Sequence, residues 1–131
     1  MTQTCPCGSN NAYLNCCGAF ISGARRPETP EQLMRSRYTA YTQANIDYIS
    51  RTMKGPAMVG FDPEAARAWA EGNAWLRLDV LNASVKGTTG FVEFAAHYAY
   101  QNKDHIIHER SEFRLEDGQW YYTRGHSRTR R

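Results

Sequence analysis

Four cysteines stand within the first 17 residues, as Cys5-Pro6-Cys7 and Cys16-Cys17, and none follows them. The C-x-C-x8-C-C spacing puts two short thiol-bearing turns opposite each other, which is what a tetrahedral metal needs from a short segment. Four thiolates would hold a Zn²⁺ ion and leave no position for water, so the expected site is structural and not catalytic. Two disulfides are the competing chemistry. They are disfavoured by the strained ring that an adjacent pair such as Cys16-Cys17 would form and by the reducing cytosol expected for this chain. Iron is a further alternative, since four thiolates also suit a single iron or a small cluster. Gly8 and Gly18 each follow a cysteine pair, where a residue free to take positive φ lets backbone N–H groups turn toward the sulfurs.

The run from Cys5 through Gly8-Ser9-Asn10-Asn11-Ala12-Tyr13-Leu14-Asn15 to Gly18 resembles the SEC-C motif, a small zinc knuckle found on many bacterial proteins. Leu33-Met34-Arg35-Ser36-Arg37-Tyr38-Thr39-Ala40-Tyr41, His108-Glu109-Arg110-Ser111-Glu112-Phe113 and Trp120-Tyr121-Tyr122 resemble the bacterial YchJ-like family. Its members join a SEC-C knuckle to an α+β domain of nuclear transport factor 2 type. The resemblance implies a knuckle over residues 1–22 and such a domain, with a basic C-terminal tail, over 23–131. It implies structural zinc at Cys5, Cys7, Cys16 and Cys17, but no reaction. It also implies docking to a ribosome or an export chaperone through the knuckle, where Tyr13, Leu14 and Phe20 supply apolar anchors. Some relatives end in a second SEC-C motif, whereas this chain ends in arginines.

The elements that must position these groups can be read in order. Residues 18–28 read as a connector. A first helix opens with Thr29 as N-cap, Pro30 at its first position and Gln32 completing a capping box, and its apolar stripe runs through Leu33, Met34, Tyr38 and Tyr41. Arg37 falls inside that stripe and Arg35 outside it. A second helix covers 46–53, and a third starts at Asp62-Pro63 and stops at Gly72. From Trp75 onward the pattern is four antiparallel strands, with turns near Gly87, Asn102 and Gly118. Alternation places Leu76, Leu78 and Val80 on the inner face. Val92, Phe94, Ala96, Tyr98 and Tyr100 follow in the next strand, then Ile107, Glu109, Ser111, Phe113 and Leu115, then Trp120 and Tyr122. Three helices followed by a curved meander give an α+β cone wrapped around its first helix.

Glu109 and Ser111 therefore lie on an otherwise apolar face, with Arg37 on the helix stripe that covers it. A buried charge needs a partner. One reading is an Arg37–Glu109 ion pair fixing the helix to the sheet. The other is a ligand pocket lined by Tyr41, Tyr98, Trp120 and Tyr122, with Arg37, Glu109 and Ser111 converging. His97 and His108 fall on the polar face. No phosphate loop, nucleophile elbow or histidine-glutamate metalloprotease motif is present.

The chain has 131 residues and a formal charge of +3. Four of its 16 basic residues, Arg124, Arg128, Arg130 and Arg131, lie in the last eight positions, leaving 12 against 13 acids before them. The body is not basic, so contact with nucleic acid is expected to be weak and confined to the tail, read as a frayed end from Gly125. No apolar run approaches the length of a membrane span, and a cytoplasmic location is expected. Two functions follow: a zinc-stabilised docking module, or a protein that binds or transforms a small molecule in the cone. The fold type also suggests a homodimer through an exposed sheet face. Metal loss should disorder residues 5–17 and leave the α+β core standing.

Overall fold

A computed structural model describes residues 3–127. In chain order a 3₁₀ turn at Tyr13–Asn15 leads into helices α1 (Cys17–Ser22), α2 (Pro30–Thr42) and α3 (Ile46–Arg51). A second 3₁₀ turn at Gly55–Met58 precedes α4 (Pro63–Gly72) and strands β1 (Ala74–Lys86), β2 (Thr89–Tyr100), β3 (Lys103–Glu116) and β4 (Gln119–Ser127). The strands form one antiparallel sheet in the order β1-β2-β3-β4. The three helices expected of the α+β domain are α2, α3 and α4. The connector reading of residues 18–28 is corrected in its first part, which is the short helix α1. No helix among the described residues is long and apolar enough to cross a membrane.

Helix α2 organises the molecule. Its start matches its sequence signals: the Thr29 side chain accepts from Gln32 N–H, and Pro30 occupies the first turn. The Gln32 carbonyl reaches one residue further back than a standard capping box and accepts from Glu28 N–H at 2.7 Å. The helix is enclosed on several sides. Leu33, Met34 and Tyr38 share a core with Cys5, Cys7 and Cys17 from the knuckle and with Leu78, Val92, Phe94 and Phe113 from the sheet. Ser36 meets the Tyr48 hydroxyl at 2.7 Å, tying α2 to α3. A helix used on so many faces cannot be strongly amphipathic.

The sheet departs from simple alternation at three places. Trp75 pairs with Tyr98 and Arg77 with His97, so Leu76 is an extra residue in β1. The bulge turns Trp75 inward and leaves Leu76 53% exposed, against the expected inner position. A second irregularity lies between Val80 and Asn82, and Leu81 there is 54% exposed. The third sits opposite Glu112 and Phe113, whose partners on β4 are Arg124 and Tyr122. Tyr100, also expected inside, is exposed at the strand end. Gly125, His126 and Ser127, read from sequence as a frayed end, pair with Ser111, Arg110 and Glu109 as the last part of β4. The arginines at 128, 130 and 131 lie outside the described residues.

Candidate metal centre and cone cavity

Two turns and a helix start bring the cysteines together. Cys5 N–H bonds the Asn11 carbonyl at 2.9 Å and Gly8 N–H bonds the Cys5 carbonyl at 3.3 Å, closing the first turn with Gly8 at φ +84°. Cys16 ends the 3₁₀ turn and Cys17 opens α1. Gly18 is helical and needs no positive φ; a β-carbon there would come within 2.7 Å of the Tyr13 ring. The four Sγ atoms lie within 4.8 Å of one another, and the thiols are free. Cys7 Sγ and Cys16 Sγ are 3.7 Å apart. That matches the separation of about 3.8 Å between two sulfurs bonded to one tetrahedral metal at roughly 2.3 Å.

The surroundings treat the sulfurs unequally: burial pushes the Cys16 thiol up, whereas Cys7 is favoured as the thiolate. Arg35 Nη1 donates to the Cys7 carbonyl at 2.6 Å while its Nε holds Glu31, so this arginine, expected to point away, faces the knuckle. The Ser9 hydroxyl lies 3.2 Å from Cys16 Sγ. A hydrogen bond from the Cys17 thiol pulls Cys7 down to about 4, and the same bond together with burial pushes Cys17 up. These residues fit a four-thiolate metal ion, which would cross-link the turns and supply no reactive position.

The cysteine cluster is also part of the main core. Cys5, Cys7 and Cys17 are buried, and Cys5 Sγ reaches Thr39 of α2 at 3.9 Å. The three expected docking anchors separate. Leu14 is 77% exposed, Phe20 is buried, and Tyr13 is half-buried with its hydroxyl accepting from Gln43 Nε2. No three-residue apolar surface exists there.

Between α2 and the sheet lies a cavity of about 170 Å³. Its helical wall is Met34, Arg37, Tyr38 and Tyr41, at the i, i+3, i+4, i+7 spacing of one helix face. Glu109, Ser111 and Phe113 face it from β3 and Tyr122 from β4, while Trp69 and Trp75 close one side. Of the residues expected to line a pocket, Arg37, Tyr41, Glu109, Ser111 and Tyr122 come together. Two do not. Trp120 lies under the start of α2, its Nε1 donating to the Glu28 carbonyl at 3.3 Å. Tyr98 stands behind the wall, against Trp69 and Trp75 and stacked on His105.

The expected Arg37–Glu109 ion pair does not form. Arg37 Nη1 instead donates to the Ile49 carbonyl at 2.8 Å and to Thr52 Oγ1 at 2.7 Å, and its guanidinium lies 4.6 Å from the Tyr122 ring centre. Glu109 Oε2 accepts from Ser111 at 2.6 Å and from the Tyr122 hydroxyl at 3.4 Å. Tyr122 stands between the two charges. Burial raises the Tyr41 and Tyr122 hydroxyls above their ordinary range, so both remain neutral donors. Trp69 and Trp75 escaped the sequence reading. The signal for the first was an Ala66-Trp69-Ala70 stripe on the third helix; the bulge at Leu76 concealed the second. His97 and His108 face outward, held by Asp79 at 3.0 Å and Glu93 at 2.6 Å.

Residues 1–19 match the SEC-C motif, and residues 29–125 match the family described as YchJ, middle NTF2-like domain. The chain belongs to the YchJ-like family. Within that family's UPF0225 proteins, one from Geobacter sulfurreducens is 43% identical over 129 residues, spanning 96% of this chain and 80% of its own. A SEC-C motif protein from Rhodopseudomonas palustris, known from a solution structure, superposes with a TM-score of 0.89 at 40% identity, covering 97% of this chain and all of that one. A crystal structure of a SEC-C motif protein from Psychrobacter arcticus gives 0.82 at 25% identity over 98% of this chain and 85% of that one. The YchJ-like chain therefore has the α+β cone and SEC-C knuckle read from its sequence, and a cysteine cluster that can hold a metal ion.

Proposed function

We propose that this chain is a small-molecule-binding protein whose site is the cavity of the cone, with the knuckle as a zinc-held clamp on α2. One observation carries the reading: the cavity of about 170 Å³ contains Arg37 and Glu109 without direct contact between them. The two charges share an aromatic chamber without pairing directly, Tyr122 standing between them, and this leaves room for a polar ligand group. The thiolate cluster in this reading carries zinc, in the reducing cytoplasm where four thiols stay free. Metal analysis of reduced protein should return one equivalent of zinc. Another metal, or none, would remove that part of the reading.

The test is a fragment screen by ligand-observed NMR on the intact chain and on Ala96→Leu, whose longer side chain would enter the cavity from β2. Binding to the intact chain that is lost in a folded Ala96→Leu supports the reading. No binding to the intact chain overturns it.

A second reading, docking to a ribosome or export chaperone through the knuckle, is favoured by the exposure of Leu14. It predicts co-sedimentation with ribosomes that survives moderate salt and disappears in Leu14→Asp. Association lost with salt in both forms would reflect only the arginine tail.

A further inference from the structure

Arg37 is the only charged side chain among the described residues that is buried, at 7% exposure. Its Nη1 is fully used by the Ile49 carbonyl and the Thr52 hydroxyl, both neutral acceptors. Nε and Nη2 meet no acceptor among the described residues, and no carboxylate lies within ion-pair distance. No side-chain nitrogen or oxygen among the described residues is both sealed from solvent and unpartnered. Those two nitrogens therefore face open space, and the space that Arg37 lines is the cavity. Burial pushes its guanidinium toward the neutral form, and the nearby tyrosines and Glu109 oppose that only in part.

Glu109 is in a different position. Its Oε2 already receives two hydroxyl hydrogen bonds, and the side chain is only half-buried. Arg37 is the more deeply buried of the two charges, so the need for a counter-charge falls mainly on it. The open Nε–Nη2 edge of a guanidinium is a planar fork that matches the two oxygens of a carboxylate. Beside it stand the rings of Tyr38, Tyr41, Trp69 and Trp75. The volume is close to that of an engineered cavity of roughly 150 Å³ that takes up benzene.

The geometry points to a small monocarboxylate with a flat apolar body as the ligand: its carboxylate on the free edge of Arg37, its body against the aromatic wall. This rests on the cavity being the binding site, as proposed above. Glu109 sharpens the choice, because a second negative charge in the same chamber disfavours a dianion such as a phosphate ester.

The test compares benzoate, benzylamine and benzyl alcohol by calorimetry on the intact, metal-loaded chain. The expected result is benzoate binding at least tenfold tighter than either of the others. If benzylamine or benzyl alcohol binds as tightly as benzoate, the carboxylate assignment is overturned while the cavity reading stands. If none of the three binds at millimolar concentration but fragments do bind in the screen, again only the assignment falls; if neither set binds, both fall. Arg37→Gln should abolish the preference for benzoate, and a preserved preference would remove Arg37 from the assignment. Should that variant fail to fold, Glu109→Gln decides: it leaves the α2–α3 anchor untouched and should tighten benzoate several-fold. An unchanged or weaker affinity there would contradict a shared chamber.

Discussion

Gly125 lies opposite Ser111 on β4, where a β-carbon would collide with the Tyr122 hydroxyl and come within 2.6 Å of Glu109 Oε2. The absent side chain is what lets the carboxylate and the phenol meet beside the cavity. Gly125→Ala must therefore displace one of them: Tyr122 is held by the Arg37 guanidinium and the Phe113 ring, and moving Glu109 would break its bond to Ser111. The expected cost is about 2 kcal/mol in denaturant unfolding, the usual scale for overfilling a packed site. A change below about 0.5 kcal/mol would mean that Glu109 swings freely. Ser36 makes a second residue-scale case. It is fully buried, donates to the Leu33 carbonyl and accepts from the Tyr48 hydroxyl, so Ser36→Ala strands a buried phenol. A loss of about 1–3 kcal/mol is expected, largely recovered by adding Tyr48→Phe, because removing both partners leaves nothing unsatisfied.

At the scale of elements, the β1 bulge inverts what alternation implies for two neighbouring residues. Trp75 contacts the rings of Tyr38, Tyr41, Trp69 and Tyr98, whereas Leu76 faces water. Leu76→Asp is accordingly expected to cost less than about 0.5 kcal/mol and Trp75→Ala about 3 kcal/mol, read from denaturation midpoints. The reverse order would restore the unbulged register. The same comparison shows how much was legible. Thr29, Pro30 and Asp62 announced two helix starts because capping is local chemistry, and β2 and β3 pair without interruption, so period two placed Glu109 and Ser111 on the inner face. A bulge leaves no such mark, since one extra residue changes no composition. The partners of Arg37 were hidden for a different reason. They come from α3 and its C-cap, and one is a main-chain carbonyl that any residue at 49 would supply.

For the whole molecule the decisive fact is that the cysteine cluster and the cone share one core. Cys5, Cys7 and Cys17 belong to the same core group as Leu33, Met34 and Tyr38, and of these Met34 and Tyr38 line the cavity. A knuckle with its own core would melt alone on losing its metal, leaving the α+β domain standing, as the isolated motif suggests. Here the cysteine-bearing turns are part of the surface on which α2 is packed, and Arg35 ties that helix to the Cys7 carbonyl. Removing the metal with a chelator at neutral pH should lower the stability of the entire chain by about 3 kcal/mol, a drop of roughly 10 °C in a single thermal transition. Hydrogen exchange should accelerate in α2 together with residues 5–17. Two separate transitions, with α2 protection unchanged, would show instead that the knuckle is only appended. The coupling also reaches the ligand. Met34 and Tyr38 sit between the sulfurs and the cavity, so a chain stripped of metal should bind the same fragments more weakly even where its sheet remains intact.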